Sequence, residues 1–301
     1  MSMTWQGAGP VPARFPDLPS GTVEYVRIRR CPSGGYCFYR LDEPNAGDTC
    51  FALGILSFLG EMNADEKTTR FLQNLQYPDG SYPSLSCALF AGWALRMLHA
   101  EPFHDPSGYI LRSLPRPDPR TRVIDSLSLF EPLRAWAALA DLYGVKIPPD
   151  SGEAVTATVL SFRSETGGFG VPVPTLQDTR IALEILAFLG QGCNDGGTVS
   201  FMNACGDPEF GFLGRPGSKP AFLEQVHAGL RLALLLGVAP RHIDACREFV
   251  RECGHPSGGF VRSVFGGSPT LEYTARAVES LAILAGFSRG RRNYSFPAPY
   301  M

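Results

Sequence analysis

The chain has 301 residues, 44% hydrophobic and 19% charged, with a formal net charge of −2. That balance excludes a basic nucleic-acid surface and attraction to an anionic membrane. No apolar run approaches the roughly 18 residues of a membrane-spanning helix, so none is expected.

Residues 1–20 form a Pro-rich arm without a charged segment followed by an apolar one, so a secretory signal is not expected. A short turn-like phrase then recurs between helix-like stretches. It reads CPSGGYCF at Cys31–Phe38 and is followed by TCFALGILSFLG from Thr49. It reads YPDGSY at Tyr77–Tyr82, followed by CALFAGWALRMLH from Cys87. RPDPRT at Arg116–Thr121 leads to PLRAWAALADLYG from Pro132, and TGGFG at Thr166–Gly170 leads to TRIALEILAFLG from Thr179. EFGF at Glu209–Phe212 precedes EQVHAGLRLALLLG from Glu224, and HPSGGF at His255–Phe260 precedes TARAVESLAILAGF from Thr274. A tail over 288–301 completes the chain.

Each following stretch is apolar on most faces and should be buried on most sides. Before the phrases lie more polar, amphipathic stretches, such as DEKTTRFLQNLQ from Asp65, AVTATVLSFRSE from Ala154 and HIDACREFVREC from His242. Self-similarity at intervals of roughly 40–50 residues marks stacked supersecondary units. The pattern predicts one all-α domain over 1–301, a closed (α/α)6 toroid of six helix pairs. An inner ring of apolar helices would surround an apolar central cavity, and an amphipathic outer ring would cover it. Closure removes the need for capping repeats.

The eight cysteines lack CxxC pairs and mostly sit in apolar stretches, which predicts reduced core thiols and a cytoplasmic protein. Asp48 and Asp178 stand in the same place in two units and are expected to cap their helices. The competing reading makes Asp48, Cys50 and Cys87 a metal site. With Glu131 and Glu272, the two aspartates would form an acidic rim, its carboxylates ionised beside helix N-termini. Glu131–Pro132 also reads as an ordinary helix start. Phe51, Phe90, Trp93, Trp136 and Tyr273 lie on or beside inner helices, where some would line the cavity. His227, inside an apolar helix, reads as a hydrogen-bonded core residue.

The phrase GGF, a loop and DTxxALxxLxxLG resembles the repeat of protein prenyltransferase β subunits and squalene–hopene-type terpene cyclases, over about Gly21 to Phe287. The resemblance implies an α/α toroid with an apolar cavity for an isoprenoid. FGFLGRPGSKPAFLEQVHAGL, Phe210–Leu230, is similar to the transferase segment carrying diphosphate-binding and zinc-binding residues. It implies that Arg215 and Lys219 hold an anionic head, with Arg180 near them and Tyr273, Trp93 and Phe51 beside the chain. The family's zinc is not expected, because its Asp, Cys and His places fall at Pro220, Phe222 and Tyr273, which cannot build a tetrahedral site. Two further anion contacts of the family fall at Thr175 and Glu131. The cyclase acid motif DxDD is absent. Two functions are expected: a prenyltransferase-like transferase or cyclase binding a hydrophobic ligand that includes prenyl diphosphates, or a non-catalytic toroid that binds a ligand or partner. By the same resemblance, an α-subunit-like helical chain or a second copy is the expected partner.

Overall fold

The computed structural model describes residues 17–38, 43–115, 130–192 and 196–288. The phrase at Arg116–Thr121, most of the N-terminal arm and residues 289–301 lie outside the described residues. The helices are α1 (Thr22–Arg27), α2 (Ala46–Phe58), α3 (Glu66–Gln73), α4 (Leu85–Met97), α5 (Ser107–Arg112) and α6 (Glu131–Leu142). They continue as α7 (Pro149–Ser161), α8 (Leu176–Phe188), α9 (Gly196–Ala204), α10 (Leu223–Leu236), α11 (Ile243–Glu252) and α12 (Leu271–Ser288). The two-residue strands β1 (Gly206–Asp207) and β2 (Gly211–Phe212) pair antiparallel in the fifth phrase.

The even-numbered helices close a ring: each packs on the next, and α12 packs on α2. The odd-numbered helices lie outside, each against the inner helix that follows it. The burial pattern explains the two layers. In α2, ten positions from Ala46 to Phe58 are buried, whereas α3 buries only Thr68 and Leu72. A helix apolar all round needs neighbours on every side, and a striped one needs a single neighbour.

The inner helices begin one to three residues earlier than expected, and the caps explain the difference. Asn45, Ser84 and Thr175 accept the backbone N–H three residues on, and Thr270 does the same for Tyr273 at 2.9 Å. Asp48 and Asp178 are therefore not the caps. They are the third helical residues, and each carboxylate accepts a bond from its cap, Asn45 Nδ2 at 2.6 Å and Thr175 Oγ1 at 2.8 Å. The threonine that follows ties the helix to the preceding phrase. Thr49, Thr179 and Thr274 accept the backbone N–H groups of Tyr36, Phe169 and Phe260 at 3.0, 2.9 and 3.1 Å. The third phrase position is thus aromatic for packing, and its backbone is bolted to the inner ring.

Glycine is required where the described phrases meet the next outer segment, at Gly34, Gly80, Gly167, Gly211 and Gly258. Gly258 has φ 96°, and a Cβ there would lie 2.5 Å from the Gly21 carbonyl oxygen. Thr22 Oγ1 donates to the Gly258 carbonyl at 2.8 Å. This contact joins the last phrase to the first helix and closes the outer ring.

Candidate functional site

The inner helices share a register set by their caps. Gly54, Trp93, Glu184, Arg231 and Glu279 each lie nine residues past Asn45, Ser84, Thr175, Phe222 and Thr270. Side chains at one register position share one depth and one face of the ring. On α8, α10 and α12 that layer is ionic. Arg231 Nη2 donates to Glu184 Oε1 at 2.8 Å, and its Nη1 donates to Glu279 Oε1 at 2.7 Å. His227 Nε2 lies 2.8 Å from Glu279 Oε2, and Arg180 Nη1 donates to both oxygens of Glu184 at 2.9 and 2.8 Å.

One turn nearer the rim, Arg134 Nε donates to Glu131 Oε2 at 2.7 Å on α6, and Arg276 pairs with Glu272 on α12. Burial alone would raise the pKa of Glu131, but Arg134, Arg180 and Arg276 outweigh it and leave it lowered. Glu131 is partly open, with 28% of its side chain exposed. Three buried guanidinium donors have no partner among the described residues: Arg134 Nη1, Arg180 Nε and Arg276 Nε.

The opposite wall is apolar. Phe51 and Phe90 stack edge-to-face at 5.3 Å, and Trp93 is buried beyond them on α4. Gly54 is buried on α2, yet a Cβ there would meet no atom of the described residues within 4 Å. A buried position with open space beside it borders a void. The expectation of an apolar cavity is corrected on the α6–α12 side, where arginine and glutamate line the ring instead of aliphatic side chains.

The other expected site residues are divided between this centre and the rim. Arg180 is buried in the ionic layer, 4% exposed, and is bound there by Glu184. Arg215 and Lys219 are exposed in the loop before α10. Lys219 pairs with Glu209 at 3.1 Å and lies over the Phe210 ring, and Arg215 borders a cleft of about 610 Å³ with Val173 and Phe201. Tyr273 shares a mainly apolar rim cleft of about 630 Å³ with Pro220, Phe222 and Phe265. There Arg262 stacks over Phe222 at 4.1 Å and pairs with Glu224.

Those residues decide the fit of zinc. The three places aligned to the family's ligands do come together, but as Pro220, Phe222 and Tyr273, a set that does not fit the metal. Burial pushes the Cys50 thiol well up. Among the described residues no three His, Cys, Asp or Glu side chains gather as a metal group. Burial raises the pKa of Asp48, and the bonds from Asn45 and the Phe38 backbone lower it by less.

His227 makes folding pH-dependent. Burial, opposed by Glu279, lowers its pKa from 6.5 to about 4. Between those values the unfolded chain binds a proton that the folded chain excludes, so stability falls as pH falls. The expected loss across this window is on the order of 3 kcal/mol. In urea unfolding at stepped pH, His227→Gln should flatten that slope. A slope unchanged in the variant would locate the titration elsewhere.

The prenyltransferase alpha-alpha toroid domain family matches residues 15–89 and 127–284. A crystal structure of a protein from Actinoplanes is similar, with 15% identity and a TM-score of 0.54, over 88% of this chain and 97% of that one. The type II terpene cyclase MstE_R337A from Scytonema, solved with geranylgeranyl dihydroxybenzoate, is similar at 16% identity and a TM-score of 0.54, over 88% and 95%. These two likenesses show the fold. No curated protein sequence matches. Among the described residues no helix is long and apolar enough to cross a membrane. The family match runs along both halves of a ring that α12 closes onto α2, and the chain belongs to the prenyltransferase alpha-alpha toroid family.

Proposed function

We propose that this toroid binds a hydrophobic ligand of the isoprenoid class in its central cavity. The observation that carries the reading is the void beside buried Gly54, in register with Trp93 and one turn below Phe51 and Phe90. Aromatic faces suit a prenyl chain and stabilise positive charge on it. The terpene cyclase with a geranylgeranyl compound supports the ligand class by likeness of fold. The reading takes a cyclase-like or binding role over zinc-dependent transfer to a thiol, because Pro220, Phe222 and Tyr273 cannot hold the metal. The helical partner or second copy implied by the family would cover Phe265, 70% exposed at the rim.

The test is a titration of the protein with farnesol and geranylgeraniol, repeated on Gly54→Leu. Saturable binding that the variant loses supports the reading. Equal binding by both proteins moves the ligand out of the centre.

A further inference from the structure

The central arginines carry more hydrogen-bonding capacity than their own glutamates use. Arg134 and Arg180 are 9% and 4% exposed, and Arg134 Nη1 and Arg180 Nε have no acceptor among the described residues. Arg276 Nε, from a third helix, is in the same condition. A buried donor without a partner costs roughly 1–3 kcal/mol, so an arrangement of three such donors signals an oxygen acceptor that belongs there. Glu131 pairs with Arg134 at 2.7 Å and also feels the charges of Arg180 and Arg276.

The charge of the cluster limits that acceptor. Arg134, Arg180, Arg231 and Arg276 are matched by Glu131, Glu184, Glu272 and Glu279, and His227 is neutral at neutral pH. The interior is therefore balanced before any ligand enters. Asp48, at the rim end of α2, adds a further carboxylate. A diphosphate would bring at least two negative charges into this space, where each of these four arginines already has a glutamate partner. Burying unpaired charge is costly, whereas a single carboxylate can use the spare donors at small net charge.

We infer that the polar end of the central ligand is a carboxylate, bound by the free N–H groups of Arg134, Arg180 and Arg276, and not a diphosphate. The inference rests on the central-cavity reading and narrows its substrate class to isoprenoid acids. The hydrophobic chain extends from these arginines toward Phe51, Phe90 and Gly54.

The experiment is calorimetric titration of the full chain with farnesoic acid, farnesol and farnesyl diphosphate at neutral pH. The acid is expected to bind at least tenfold more tightly than either other compound. Glu131→Gln removes one negative charge with little change of shape, and should strengthen diphosphate binding by at least threefold. Diphosphate binding tighter than acid, lost in the Arg215→Ala/Lys219→Ala double variant, would overturn the carboxylate and place the head on the rim loop. Acid and alcohol binding equally would also overturn it, with the isoprenoid reading intact. Failure of all three compounds to bind would remove both.

Discussion

Replacing Arg231 with Met is expected to remove about 3–5 kcal/mol of stability. Among the described residues Arg231 is the one cation that bonds both Glu184 and Glu279, and Glu279 keeps only 2% of its side chain exposed. Without the guanidinium, Glu279 retains a single donor, the His227 imidazole, and remains in a dry site. Burial would then drive it toward protonation, at a cost to folding. Urea unfolding reads the loss as a shift in midpoint at constant slope. Glu279→Gln added to Arg231→Met should recover part of it, since the charge left unpaired is then gone. A loss below about 1 kcal/mol would mean that water screens the layer as it screens surface pairs.

Gly258→Ala should cost more than about 2 kcal/mol, and Gly21→Ala supplies the control. Both glycines have φ 96°, so both variants carry the strain of placing a Cβ residue in that region, about 1 kcal/mol or more. Only at Gly258 does the new carbon meet backbone, 2.5 Å from the Gly21 oxygen. At Gly21 it meets no atom of the described residues within 4 Å. The difference between the two variants isolates the close approach that joins the last phrase to α1. It should appear in thermal unfolding as a clearly lower midpoint for Gly258→Ala. Equal losses would show that the outer ring is not closed there.

The toroid was legible because its cause is periodic. Gly34, Gly167 and Gly258 recur with an aromatic two residues on and a buried threonine beyond it, and each element of that pattern has one structural task. The caps were misread by three residues because Asp48 and Asp178 look like caps in sequence. Only the geometry shows that Asn45 and Thr175 occupy that role and bond to them. Pro220, Phe222 and Tyr273 were brought together by alignment alone, and they do share a cleft. The ionic layer was missed, although a signal existed. Glu184, Arg231 and Glu279 are charges inside apolar helices at one register position, a placement that costs free energy unless the partners face each other. Reading the repeats against one another by cap position would have found them. The void beside Gly54 was not legible, since it depends on how far neighbouring side chains reach.

The central space is tested most directly by Gly54→Leu, read for stability and for isoprenoid binding in the same preparation. Gly54 lies inside a helix, and a Cβ there would meet no atom of the described residues within 4 Å. The substitution should therefore leave stability unchanged or raise it by up to about 1 kcal/mol, the propensity gain over glycine. The leucine would fill the void, and affinity for farnesol or farnesoic acid should drop at least tenfold, or about 1.4 kcal/mol. A variant that folds as predicted and still binds like the native chain would contradict a ligand site at the centre of the ring. A variant that unfolds would contradict the void itself.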